Sequence, residues 1–181
     1  LMDSFLIVAI VREGELVLPK DEDIIYAGDR FYTLVDKEFL PFLLPMLNKT
    51  LDEVQKVIIY GATPMAIHLA KSLEESTLDV RIIEPSRDMA HVAADELKKT
   101  VVMQGSGTDM DLFNEINMTE ADFFLALSDD DENNILSALL AKKYGAKRAL
   151  VITNDPDYLP ILDSIGIDIT INPRLITVSA I

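Results

Sequence analysis

The hydrophobic pattern changes character near residue 50. Before it, short apolar runs alternate with turn signals. Phe5 to Val11 is an apolar, β-branched run, Arg12-Glu13-Gly14-Glu15 supplies a turn, and Leu16-Val17-Leu18 returns as a second strand before Pro19. Asp21 to Asp23 is polar and turn-like, and Ile24-Ile25-Tyr26 leads into a turn at Ala27-Gly28-Asp29. Arg30 to Val35 alternates as a further strand, and Glu38 to Leu47 predicts a short helix. Residues 1–49 therefore read as a small, partial α+β unit that begins in mid-strand grammar, the remaining part of a larger domain.

Asn48 to Gln55 reads as a polar linker, and a second unit, 50–181, follows. Apolar strands are expected at Val57–Tyr60, Val80–Glu84, Val101–Met103, Phe123–Leu127, Ala149–Thr153 and Ile167–Ile171. Helical patterns fill the gaps at Met65–Glu75, Arg87–Lys98, Asp109–Glu115, Asp131–Tyr144 and Tyr158–Ser164. Alternating strands and helices bury both faces of a parallel sheet, so the expected fold class is α/β, a Rossmann-type doubly wound sheet.

Charge and composition narrow the partners. A net charge of −15 over 181 residues argues against nucleic acid and against a bare anionic membrane, both of which recruit clustered Lys and Arg. With no cysteine there is no disulfide, thiolate metal site or cysteine nucleophile, and two histidines, His68 and His91, are too few for a typical catalytic zinc. No apolar run approaches the roughly 20 residues of a membrane helix. The start of the chain lacks a basic segment followed by an apolar stretch, so no signal peptide is expected.

A Rossmann site needs a glycine turn after the first strand, a helix N-terminus for the diphosphate, and an acid ending the second strand. Gly61-Ala62-Thr63-Pro64-Met65-Ala66 stands where that turn belongs, directly after Val57-Ile58-Ile59-Tyr60. Gly61 supplies the tight turn and Ala66 the close helix–sheet contact. Thr63 replaces the glycine that lets backbone approach a diphosphate, and Pro64 removes one amide donor. Glu84, before Pro85, is placed to accept ribose hydroxyls and to repel a 2′-phosphate, which favours NAD over NADP.

Gly105-Ser106-Gly107-Thr108-Asp109 follows the third strand, where Ser106 and Gly107 can border an adenine and Thr108 or Asp109 can cap a helix. Ser128-Asp129-Asp130-Asp131-Glu132 opens the long helix. Its acids suit a helix N-terminus better than a metal, Ser128 is a natural cap, and Ser128 with Asp129 can border a ligand in the same crevice.

This ordered series resembles the regulators of potassium conductance, the RCK or KTN domains, and within them the TrkA-type regulatory subunits. Gly105-Ser106-Gly107-Thr108-Asp109 follows the family's G-D-G-T-D, and Ala126 to Asn134 resembles A-V-T-D-N-D-E-x-N. Asn154-Asp155-Pro156-Asp157-Tyr158 and Ile171-Asn172-Pro173-Arg174 match two later family segments. The resemblance implies that 1–49 ends a C-terminal RCK subdomain and that the Rossmann unit is the second of a tandem pair.

By the same resemblance, Gly61, Ala62, Thr63, Pro64 and Met65 would face phosphates, Glu84 the ribose, and Ser128 and Asp129 the rest of the ligand. The ligand implied is NAD or NADH ahead of ATP, ADP or AMP. Thr63, Ser106 and Ile152 depart from the family pattern, and an empty site is the alternative.

The resemblance further implies a non-catalytic, nucleotide-sensing subunit that gates potassium uptake. It would be cytoplasmic and peripheral at the inner face of the membrane, beside a membrane-embedded transporter. Leu175, Ile176, Val178 and Ile181, where relatives begin a crossover helix, add an expected homodimer or larger ring. The competing readings are an NAD-dependent oxidoreductase and a scaffold with a vacant site.

Overall fold

Every residue of one strand, Lys56–Tyr60, is buried, and the architecture is arranged around it. The computed structural model describes residues 5–12, 15–20, 22–47 and 53–174. The chain divides into two compact units, Leu1–Glu53 and Val54–Ile181.

In the first unit β1 (Phe5–Arg12) pairs antiparallel with β2 (Glu15–Val17) and β3 (Arg30–Val35), giving the order β2-β1-β3. Register shifts between Ile7 and Ala9, where β1 bulges against β3. A short helix, α1 (Leu40–Met46), follows. Phe39, just before it, stacks on Phe5 at 6.0 Å, and Ile10 and Leu43 are buried. Arg12 grips Asp29 with two hydrogen bonds, of 3.0 and 2.7 Å, and lies 4.6 Å over the ring of Tyr26. That guanidinium, with the Tyr26 amide, holds the Asp29 carboxyl at about 2.

The second unit carries β4 (Lys56–Tyr60), α2 (Pro64–Leu73), β5 (Asp79–Glu84), α3 (Arg87–Glu96), β6 (Val101–Gln104) and α4 (Met110–Glu115). It continues through β7 (Phe123–Ala126), α5 (Asp131–Lys143), β8 (Arg148–Ile152), α6 (Leu159–Ser164) and β9 (Ile169–Ile171). All pairings are parallel, in the order β6-β5-β4-β7-β8-β9. The chain starts at the centre, winds outward to β6, then returns past β4 to β7. This reversal is the topological switch point of a doubly wound Rossmann sheet.

Alternation along β4 explains why both faces are covered. Val57 and Ile59 join a core with Ala66, Ile67 and Ala70 of α2 and Ala93 of α3. Ile58 and Tyr60 join a second core with Phe113 of α4, Ala138 and Ala141 of α5, and Leu162 of α6. Small alanines on α2 and α5 let those helices lie close to the strands. Burying each such isoleucine is worth about 2 kcal/mol, more than any one capping bond, so the β4 region anchors the unit.

The expected elements recur with edges moved by a few residues. The last strand begins at Ile169 rather than Ile167, and Ile167 is instead buried in the second core. Glu13, Gly14, Asp21, Asn48, Lys49 and the apolar Leu175, Ile176, Val178 and Ile181 lie outside the described residues, so the turn, linker and oligomer expectations that use them stay expectations. Among the described residues no helix is long and apolar enough to cross a membrane.

Candidate functional site

Ligands of doubly wound sheets bind beyond the strand C-termini at the switch point. Here that place is formed by the turn after β4 and the turn after β7. Gly61 takes φ +94°, a conformation that suits glycine, and its amide bonds Ile83 O at 2.9 Å. The two turns touch: a Cβ on Gly61 would lie 2.7 Å from the N and Cα of Ser128. Glycine is required at this position to let the loops meet.

Thr63 ends the turn as the N-cap of α2. Its hydroxyl accepts from the Ala66 amide at 3.3 Å and donates to the carbonyl of Leu127, just past β7, at 3.0 Å. Pro64 is the first residue of α2 and offers no N–H. Met65, next along, is exposed.

Glu84, at the end of β5, is buried, and both of its oxygens already accept backbone amides. Oε2 takes Ala62 N at 2.7 Å and Oε1 takes Ser86 N at 2.8 Å. The acid expected to meet a ribose thus ties the glycine turn to the start of α3.

The loop after β6 is also drawn inward. Ser106 and Thr108 share a hydroxyl–hydroxyl bond of 2.9 Å, and Ser106 Oγ accepts the Thr108 amide at 3.2 Å. Gly107 is buried; a Cβ there would come 2.6 Å from the Tyr60 ring. Burial raises the Tyr60 hydroxyl pKa, helped by the charges of Asp130 and Glu84. Asp109 caps α4 through the amides of Asp111 and Leu112.

At the opening of α5 the cap is Asp130, not Ser128. Asp130 accepts the Asn133 amide at 2.9 Å, because it occupies the extended position one residue before the helix. Ser128 is taken up by Asn134 instead. Asn134 Oδ1 accepts from Ser128 N at 3.0 Å and Oγ at 2.7 Å, while its Nδ2 donates to the carbonyls of Ser128 and Ile152 at 2.8 and 3.1 Å. Asn134 is fully buried, and the patterning assigned it no role. The available signal was a poor helix former near the start of an apolar helix, a place where a buried amide has to be bonded.

Asp131 likewise accepts from Thr153 Oγ1 and from the amides of Asn154 and Asp155, at 2.9, 2.8 and 3.0 Å. A polar hollow of about 470 Å³ lies beside these residues, lined among others by Asp129, Asp131, Glu132, Tyr158 and Arg174. Glu132 accepts the Tyr158 hydroxyl at 2.9 Å and raises its pKa. Among the described residues no group of three or more His, Asp or Glu is disposed to hold a metal. His68 and His91 are exposed on α2 and α3.

The structure therefore brings Gly61, Ala62, Thr63, Glu84 and Ser128 together at one edge, with Asp129 exposed at the rim of the hollow. It bonds Ala62 N to Glu84, the Thr63 hydroxyl to the Leu127 carbonyl, and Ser128 to Asn134. A diphosphate needs open backbone and free amides at this turn; Thr63, Pro64 and the Gly61–Ser128 contact do not fit one.

Residues 57–173 match the TrkA-N domain. The chain is 32% identical over its whole length to the Trk system potassium uptake protein trkA homolog 1 of Methanosarcina mazei, covering 45% of that protein. It is 35% identical over 97% of its length to the Trk system potassium uptake protein TrkA of Haemophilus influenzae, covering 38% of it. The chain thus spans less than half the length of these relatives. Among solved structures it resembles the GsuK RCK domain, with a TM-score of 0.62 and 18% identity over 93% of this chain and 36% of that one. It also resembles the GsuK channel bound to NAD, with a TM-score of 0.57 and 19% identity over 75% of this chain and 25% of that one. At such identities the structures speak for the fold alone. With the domain match covering most of the chain and the Rossmann order behind it, the chain belongs to the TrkA-N domain family.

Proposed function

We propose that this chain is part of the regulatory subunit of a Trk-type potassium uptake system and that it acts without catalysing a reaction. The carrying observation is the TrkA-N match over residues 57–173, together with relatives named for potassium uptake. The chemistry of the strand ends supports a non-catalytic role. Glu84, Asp109, Asp130 and Asp131 each accept backbone amides, so these four acids serve as caps and ties rather than proton carriers.

In this reading the subunit sits at the cytoplasmic face of the membrane against a membrane-embedded transporter. The first unit ends a C-terminal RCK subdomain, and the Rossmann unit follows it in a tandem, oligomeric protein. Gating then arises because a ligand prefers one arrangement of the assembly and shifts its population. The GsuK channel, solved with NAD, is a neighbour in which such a ligand is present.

The test uses the full-length protein that carries this chain. It is expected to co-purify with the transporter subunit from detergent-solubilised membranes, and its deletion is expected to slow potassium uptake by cells. Normal uptake without the protein, and no association with the transporter, would sink the proposal.

A further inference from the structure

In a nucleotide-binding Rossmann unit, the diphosphate joins three parts of the switch point: the glycine turn, the first turn of the following helix, and the facing strand end. Here one side chain already joins all three. Thr63 belongs to the turn, accepts the Ala66 amide in the first turn of α2, and donates to Leu127 O beyond β7. Two neighbouring donors are withdrawn from a ligand. Ala62 N is bound to Glu84, and Pro64 has none. Ser128, whose N and Cα lie against Gly61, is itself held by Asn134.

We infer that Thr63 is a built-in occupant of the dinucleotide position. Its hydroxyl takes the Ala66 amide that a phosphate oxygen would accept and, by donating to the Leu127 carbonyl as no ionised phosphate oxygen can, holds the β4–α2 turn against the end of β7. The Rossmann unit is thereby kept in one state, and NAD, NADH, ADP and ATP do not bind to it. This rests on the regulatory reading above and adds which part of the subunit does not sense: this half transmits a change made elsewhere. Removing the hydroxyl and its carbons frees Leu127 O and Ala66 N and clears the path to the turn.

The experiment is titration calorimetry of the 181-residue chain with NADH, ADP and ATP, beside Thr63→Gly, Thr63→Ala and Thr63→Ser. Wild type and Thr63→Ser, which keeps the hydroxyl, are expected to give no saturable heat up to about 1 mM ligand. Thr63→Gly is expected to bind at least one of the three with affinity raised about tenfold or more over wild type. Should the glycine variant lose its cooperative melt, Thr63→Ala is read in its place.

Saturable binding by wild type overturns the inference. So does silence from a folded Thr63→Gly or Thr63→Ala, because the hydroxyl would then not be what bars the ligand. Binding by wild type would leave transporter association untouched, whereas lost association with the expected calorimetry would sink only the regulatory reading.

Discussion

The two edges of the Rossmann sheet normally have different tasks: the strand N-termini hold the fold together, and the C-termini are left open for a ligand. In this chain they are built alike. At the N-terminal edge Asp122 accepts the amides of Gln55 and Lys56, at 2.6 and 3.0 Å, and the ammonium of Lys147 at 2.7 Å. Asp168, just before β9, ties it to β8 in the same way, accepting Ala149 N at 2.7 Å beside Lys142. At the C-terminal edge Glu84, Thr63, Asn134 and Asp131 tie neighbouring turns by the same means. The difference lies in charge. The N-terminal edge pairs its acids with lysines, while the C-terminal edge bonds its acids to backbone and hydroxyl groups. The lesson is that a Rossmann edge whose polar groups bond each other behaves as structure, whatever motif it descends from.

Breaking the ties ranks them. The largest effect is expected from Asn134→Ala, which strands the Ile152 and Ser128 carbonyls in a buried site. It should cost about 3 kcal/mol in urea unfolding. If the loss is below 1 kcal/mol, on the order of one ordinary hydrogen bond, the C-terminal edge is not structural in the sense argued.

Asp122→Asn comes next, at about 2 kcal/mol near neutral pH. The Lys147 ammonium, with the Gln55 and Lys56 amides, holds the Asp122 carboxyl at about 2, against about 3.9 in an unfolded chain. A depressed folded pKa stabilises above the unfolded value and is lost as pH falls through the folded one. Wild-type stability should therefore drop between about pH 4 and pH 2, and part of that slope should vanish in the variant. An unchanged slope in acid titration of the melting temperature would refute the role.

Thr63→Val should cost about 1 kcal/mol, the size of a lost N-cap, and Thr63→Ser should restore most of it. A valine variant as stable as wild type would mean that the Leu127 bond carries no weight. The smallest effect belongs to Lys71→Ala. It removes the exposed Lys71–Glu96 pair between α2 and α3 and should shift stability by no more than about 0.5 kcal/mol.

Patterning made most of the fold legible. Strand β4 carries the apolar run Val57–Tyr60 and is buried at every position, and the helical stretches carry alanines at the spacing that packs on a sheet, so period and composition agree. The first unit was legible as strands because Arg30–Val35 alternates, and the structure shows the same alternation in its burial. The turns that meet at the strand ends were legible, but the bonds they make were not. Gly61, Glu84 and Ser128 were marked by position, yet which atoms Glu84 and Ser128 bond depends on loops that approach only after the sheet forms. Asp130 rather than Ser128 caps α5 because α5 begins at Asp131, as expected, and the residue that precedes its first turn is Asp130.

The sequence by itself determined the alternation of strand and helix, the two-part organisation and the family motifs, because each is written in local periodicity and residue type. The order β6-β5-β4-β7-β8-β9 and the bridge from Thr63 to Leu127 were decided only by the tertiary structure. Both depend on which strands become neighbours, and residues 64 positions apart meet only when β4 and β7 pair.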